Sequence, residues 1–403
     1  MVSSPSQTAE HCDVFVVGAG LAGASAAIGF ARAGFSVISC GAIDRLARGR
    51  TVALLGRSVD FLGELGVWEE VEKSASPLRS LRIIDDTGSF LAARPVEFHA
   101  REIKSEAFGW NIANARLADI LAKPLAASPN LARVDAKVET FDFSGDYAAI
   151  GAADGRRFGA RLVVGADGRD SSARKSAGIG SRLHRYGQSA LTMFLTHARP
   201  HGDFSTEFHT RQGPFALVPL PGAVEAPFRS SLVWVMSEAE ARRRAAIDDE
   251  ALEAEIEDRA HGLLGAIRIE PGRGAFPMIR QSVAGLTATR LALVGDAAHA
   301  FPPIGAQGLN LGLRDVMGLL SAAKAARADG ADIGGDATLA GYAASRRADI
   351  ALRTLAVDGL NRSLLADFAP VDALRGLGLT ALRHVGPLRR LVMREGVAPS
   401  LGR

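Results

Sequence analysis

"CDVFVVGAGLAGASAAIGFARAGFSVISCG", residues 12–41, decides the fold class. Asp13–Val17 is a short apolar run, Gly18–Gly23 a glycine-rich turn, and Ala24–Ala33 a helical pattern of small residues. Gly34 ends the helix, and Phe35–Cys40 is a second apolar run of strand character. This is a βαβ unit at the start of the chain, so an α/β class with a parallel sheet is expected. Gly18-x-Gly20-x-x-Gly23 sits between strand and helix, the context such a turn requires. Gly18 permits the tight turn, Gly20 lets backbone approach a pyrophosphate, and Gly23 lets helix and strand pack closely. The helix start then offers unpaired N–H groups to the phosphates. Gly18, Ala19, Gly20, Leu21, Ala22 and Gly23 are the candidate dinucleotide-binding residues.

The second strand should end in a carboxylate that holds the ribose, but Gly41 stands there. A small residue followed by Arg45 and Arg48 is also how a site accommodates the 2′-phosphate of NADP. The first 50 residues therefore leave the nucleotide open.

Two distant stretches bear on it. "LVVGADGRDSSARKSAG" (162–178) and "RLALVGDAAHAFPPIGAQGLNLGLRDV" (290–316) each end an apolar strand in Gly and Asp and turn into a helix. Asp167 and Asp296 can accept hydrogen bonds from sugar or polyol hydroxyls. Gly305 and Gly308 free backbone N–H groups around a helix start, donors for an anionic ring edge. A ligand that touches both the first turn and these must be long, and FAD fits better than NADP.

The bulk numbers are compatible. At 403 residues the chain fits two domains or one elaborated one, and 47% hydrophobic residues allow ample core. A net charge of +3 gives no broad basic field for nucleic acid. The polar start Met1–Glu10 lacks a signal-peptide pattern, and no apolar run reaches the roughly 18 residues of a membrane span. A cytoplasmic protein is expected, soluble or peripheral on a membrane. Cys12 and Cys40 fall at opposite ends of neighbouring strands, roughly 20 Å apart, too far for a disulfide.

Helical patterns run over 52–75 and 114–127, and residues 78–94 read as a hairpin turning at Asp86–Gly88. Residues 134–168 read as a meander feeding a last parallel strand. Period-two alternation dominates 183–235, an antiparallel sheet, followed by a charged helix over 238–260 and a mostly helical chain from about 308.

Taken in order, the GxGxxG turn, the "DGxxSxxR" pattern at Asp167–Arg174, Gly295-Asp296 and the loop Pro302–Asn310 resemble the group A flavin-dependent aromatic hydroxylases. Within that family "RTVALLGRSVDFLGELGVW", "SLVW" (231–234), "GLNLGLRDVMGL" and "GPLRRLVMREG" are most similar to the ubiquinone-biosynthesis hydroxylases. The resemblance implies a Rossmann-like FAD-binding domain of the para-hydroxybenzoate hydroxylase type. An antiparallel-sheet substrate domain is inserted in it, and the C-terminus is helical. The implied division is 1–72, 98–178 and 283–365 for FAD, 73–97 and 179–282 for substrate, and 366–403 for the tail. By position, Arg50 and Arg116 would meet the ribityl–pyrophosphate region, and the Val138 backbone would flank adenine. Asp167 would serve the segment shared with nicotinamide binding, Gly295 and Asp296 the ribityl chain, and Gly305, Gly308, Leu309 and Asn310 the flavin pyrimidine edge. Members of the family usually carry Glu at the Gly41 position. Its absence predicts looser adenosine binding, with water, backbone or Asp44 on the ribose, and tighter FAD if Glu is restored.

No Ser/His/Asp set, paired acids or metal-ligand spacing stands out, so a cofactor should carry the chemistry. The resemblance implies that NAD(P)H reduces the flavin and that dioxygen supplies an oxygen atom to a lipophilic phenol. The phenol would be held by the Pro303 carbonyl and lie against a sheet face carrying Phe215, Leu217 and Trp234. Asp167 has a simpler reading as a turn cap, and His299 reads as packed rather than catalytic. A flavin reductase without oxygen insertion and a non-catalytic FAD-binding assembly subunit stay open. The tail from Val371 carries six arginines, two acids and interleaved leucines, which suits an anionic membrane surface, a partner protein, or packing on its own domain.

Overall fold

A computed structural model describes residues 9–41, 49–88, 94–302, 307–365 and 382–397. Strand Glu10–Val17 pairs in parallel with Val37–Cys40 on one side and Arg157–Gly165 on the other. Helix Leu21–Arg32 forms the crossover between the first two strands. Leu131–Val134 and Leu291–Leu293 extend the sheet outward as further parallel strands. Val14, Phe15 and Val16 are fully buried because helices cover one face of this sheet and the antiparallel meander 138–165 shields the other. Cys12 and Cys40 are both free and buried, and Val17, not Cys12, lies opposite Cys40. Burial pushes the Cys12 thiol up to about 12, so it stays protonated and inert at neutral pH.

The second large sheet has nine strands and is mostly antiparallel. Its centre is Ser181–His197, Phe204–Thr210, Gly213–Leu220, Arg229–Ser237 and Gly274–Val283. Ser80–Asp85 and Val96–His99 form one edge. A small sheet of Thr51–Leu55, Ser76–Pro77 and Gly109–Ala113 lies between the two large ones.

Three local expectations change. Residues 51–55 are a strand, not the start of a helix, because Val52 and Leu54 alternate with half-buried neighbours and pair with Gly109–Ala113. The strand that returns against Ser80–Ile83 is Val96–His99, beyond the expected hairpin 78–94, so no tight turn at 86–88 joins the pair. The charged helix is two, Glu238–Ala246 and Asp249–Arg259, because Asp248 caps a fresh start by accepting from the Ala251 N–H at 2.8 Å.

Candidate functional site

Four strands of the parallel sheet end together, and each delivers one singled-out turn to the same edge: Gly18, Gly41, Asp167 and Gly295. The carboxyl end of such a sheet is where ligands bind, because the chain turns away there and leaves helix starts exposed. Gly18 has φ +100°, and a Cβ on it would stand 2.5 Å from the Ala166 oxygen. A Cβ on Gly23 would stand 2.0 Å from the Gly18 oxygen, so only glycine lets the helix start lie on the turn. Gly20 differs: nothing lies within 4 Å of its Cβ position, and it faces open space. Helix Leu21–Arg32 begins there with no side-chain cap, so its first N–H groups are free for an anion.

The later turns join the first by contact. A Cβ on Gly295, at φ +60°, would stand 3.2 Å from the Ala22 Cβ, and Gly312 closes from the other side. Arg174 ties the second turn to the third. Its buried guanidinium donates to the Ala297 carbonyl at 2.8 Å and to the Arg169 carbonyl at 2.6 Å. Asp167 does cap its turn: Oδ2 accepts from the Ser172 and Ala173 N–H groups. Its other oxygen, Oδ1, is buried without a partner, an orphan acceptor that a ligand hydroxyl would satisfy. Asp296 is exposed between buried Gly295 and Ala297 and makes no hydrogen bond or ion pair among the described residues. An uncapped helix start, an orphan acceptor and a free carboxylate around open space fit a long phosphate-and-polyol ligand such as FAD.

Leu309 lies in the first turn of helix Gln307–Ala328, where the leading N–H groups have no partner within the helix, and Asn310 follows it. Gly308 faces open space, as Gly20 does. The Asn310 side chain is a bracket. It accepts from the Leu55 N–H and donates to the Ala53 carbonyl, pinning the helix start to the small sheet. Val138 is buried at the start of its strand. The segment just before it lies beside the second strand, where Cys40 Sγ bonds the Ala136 carbonyl and the Gly41 N–H bonds the Val134 carbonyl. Arg50 lies over the Phe276 ring at 5.1 Å. Arg116 is bonded to Ser74 and Glu70, an ion pair at the surface. Asp44, Arg45, Arg48, Pro303 and Gly305 lie outside the described residues.

Behind the third turn lies a cluster that sequence reasoning did not single out. Asp315, fully buried, accepts from His299 Nε2 at 2.6 Å and from the Gly295 N–H at 3.1 Å. Its other oxygen accepts from Arg346 at 2.8 Å, and Arg346 and Arg314 both donate to buried Asp349. Burial pushes the Asp315 carboxyl up, but His299 and Arg346 outweigh it and hold it below the usual range. His299 is thus a packed partner of Asp315, and the node orients the backbone that presents Asp296. "GLRDV" at 312–316 was legible as part of the resemblance, but only the fold brings its Asp to His299 and Arg346.

Two expectations change. Phe215, Leu217 and Trp234 are 0%, 3% and 4% exposed and pack with Ala241, Leu252 and Ile256 beneath the two helices 238–259. Their face of the sheet is therefore covered and does not meet the nucleotide region. The opposite face does: the Ser231 hydroxyl pairs with Thr51 at 3.1 Å and accepts from Asn111 at 3.3 Å. Register puts Thr192, Ala216, Val218, Val233 and Phe276 on that face.

The second concerns Gly41. At φ +138°, with its Cβ position 3.2 Å from both Ala19 N and Gly18 Cα, a side chain there would be strained, which argues against a gain from Glu. Such backbone is essentially reserved for glycine and costs other residues about 1–3 kcal/mol. Gly41→Glu is therefore expected to lower stability and weaken FAD binding by crowding the phosphate turn. Flavin titration and thermal melting of the variant check this, and tighter binding would show that the turn relaxes.

A profile of the FAD binding domain family matches residues 11–353. Ubiquinone hydroxylase UbiL of Rhodospirillum rubrum is 35% identical over 395 residues, spanning 96% of this chain and 89% of that protein. The 3-demethoxyubiquinol 3-hydroxylase of Escherichia coli is 31% identical over 396 residues, 96% of this chain and 98% of that protein. Among solved structures, PqsL of Pseudomonas aeruginosa in complex with 2-aminobenzoylacetate superposes with a TM-score of 0.77 at 22% identity, over 92% of this chain and 100% of its own. An HpxO variant of Klebsiella pneumoniae complexed with FAD gives 0.75 at 19% identity, over 96% and 99%. The structural matches establish the shared fold.

Proposed function

This chain belongs to the FAD binding domain family of flavin monooxygenases, and from that we propose that it hydroxylates a polyprenylated phenol in ubiquinone biosynthesis, using NAD(P)H and dioxygen. The observation that carries the substrate class is the end-to-end 35% identity to a ubiquinone hydroxylase. The sheet face turned to the small sheet suits it in part, since Ala216, Val218, Val233 and Phe276 would hold a lipophilic ring, with charge confined to Glu207 and Arg229.

Bound FAD supplies hydride acceptance from NAD(P)H and activation of dioxygen. The chain's own residues bind and orient. The Leu21–Arg32 helix start would take the pyrophosphate, Asp296 the ribityl hydroxyls, and the N–H groups of Leu309 and Asn310 the pyrimidine edge. Arg50 and Arg116 serve the ribityl–pyrophosphate region in this reading, and the Val138 backbone flanks the adenine. Pro303, outside the described residues, has this part in the reading: its carbonyl accepts from the phenol and raises the ring's electron density. The sheet face with Ala216 and Val218 keeps water from the reacting atoms and sets the ring's pose. On this reading residues 1–72, 98–178 and 283–365 form the FAD-binding unit and 73–97 with 179–282 the substrate unit. The basic tail contacts a membrane or a partner protein. Among the described residues no helix is long and apolar enough to cross a membrane.

The test is turnover of a prenylated phenol with NAD(P)H under isotopically labelled dioxygen. The expected product gains one labelled oxygen atom, and a strain lacking the protein accumulates the precursor short of one hydroxyl. Flavin reduction with no oxygen in the product would refute hydroxylation.

A further inference from the structure

Helix Gly386–Val397 is anchored along one stripe to the edge of the nine-stranded sheet. Met393, 6% exposed, packs with Val96 and Phe98. Arg389 donates twice to the Glu102 carboxylate at 2.6 Å, bonds the Glu97 carbonyl, and lies over the Phe98 ring at 4.6 Å. These contacts fix which way the rest of the helix points. Pointing outward are Leu388, Leu391 and Val392, with Val385 just before the helix, at 40%, 57%, 45% and 46% exposure. They are four of the nine large hydrophobic side chains exposed among the described residues, gathered within eight positions. At about 100° per residue, Leu388, Leu391 and Val392 fill one outward arc; Arg394 borders it on the Leu391 side, and Arg390 lies beyond Arg394, towards the anchored stripe. Arg383, Arg390 and Arg394 form no ion pair among the described residues.

We propose that this outward face of helix Gly386–Val397 docks the protein on an anionic lipid surface. Unpaired arginines beside an aliphatic arc are complementary to anionic headgroups over acyl chains, and long arginine stems reach the headgroups while the leucines insert. A few partly exposed aliphatic side chains fall far short of the roughly 800 Å² per partner that a stable protein interface covers. The face also holds no Trp or Tyr anchor of the kind that dominates such interfaces. The location gives docking a purpose. The helix packs on Leu81, Ile83 and Phe98, which register places on the same sheet face as Ala216 and Val218. A phenol leaving a bilayer at this edge enters along the face proposed to hold its ring. That purpose rests on the lipophilic-substrate reading; the docking geometry does not.

The test is flotation of the full, FAD-loaded chain with phosphatidylcholine vesicles, with and without phosphatidylglycerol. Binding to phosphatidylglycerol vesicles is expected, roughly tenfold or more above pure phosphatidylcholine and falling with salt. Leu388→Asp/Leu391→Asp should abolish it, and Arg390→Ala/Arg394→Ala should lower it several-fold. Turnover of a short-chain, water-soluble phenol should be unchanged in both. Because Cys12 and Cys40 are buried, Leu391→Cys can carry a polarity-sensitive dye, whose emission should shift blue when vesicles are added. No binding by the parent chain, equal binding by the variants, or a dye that stays in water overturns the proposal. So does a drop from oligomer to monomer in Leu388→Asp/Leu391→Asp, which would give the face to a second copy. Failed hydroxylation with retained vesicle binding would refute the activity and leave the docking intact.

Discussion

Asp315→Ala is expected to destabilise the protein by about 3–5 kcal/mol, the range for removing one partner from a buried ion pair. The carboxylate is 0% exposed and is shared by His299, Arg346 and the Gly295 N–H. Its loss leaves Arg346 with Asp349 alone, orphans a backbone donor, and opens a void between helix Gln307–Ala328 and the strand end at Leu293. Urea unfolding of the flavin-free variant measures the change, and a loss under 1 kcal/mol would mean that the cluster repacks. Asp315→Asn should recover part of the loss, because it keeps the volume and one acceptor. The pH dependence has a definite sign. Burial pushes Asp315 and Asp349 up, but their cationic partners outweigh it and hold both below the usual range. Their contribution is therefore full above the unfolded carboxyl value near 3.9 and is lost as pH falls through the lower folded values. Acid unfolding of Asp315→Asn should show a correspondingly weaker dependence in that window.

Asp296→Ala should act on the ligand, not on the fold. Its side chain is exposed, makes no bond among the described residues, and is carried on a turn whose buried members are Gly295 and Ala297. Each charge-assisted hydrogen bond it gives a polyol hydroxyl contributes about 1.5–3 kcal/mol, so its loss should weaken FAD roughly ten- to hundred-fold. Far-UV circular dichroism and the flavin-free melting temperature should stay at parent values. Stoichiometric flavin in the variant would remove Asp296 from the site. Paired with Asp315→Ala, the experiment separates a residue that holds ligand from one that holds the turn.

The opening βαβ unit, the glycine pattern and the strand-end Gly-Asp turns could be read from residues alone, because each depends on neighbours within about thirty positions. Period-two alternation in 213–220 and 229–237 likewise announced strands with two distinct faces. It could not say which face meets what, since alternation is symmetric under exchange of the faces. That choice fell to residues far along the chain: helices 238–259 cover Phe215, Leu217 and Trp234, while Thr51 and Asn111 reach Ser231 from the other side. Gly41 is a similar case. Its sequence shows a missing carboxylate, whereas its φ of +138° and its contact with Ala19 show why a side chain there is strained. Arg174, Asn310 and Asp315 carry ordinary polar side chains whose partners lie 123, 255 and 31 positions away. Local residues carried most of the strands and helices and the glycine turns, but not the strand at 51–55 or the break between helices 238–246 and 249–259. Only the tertiary fold, by closing contacts across hundreds of residues, decided which polar groups brace those turns and which sheet face the helices 238–259 cover.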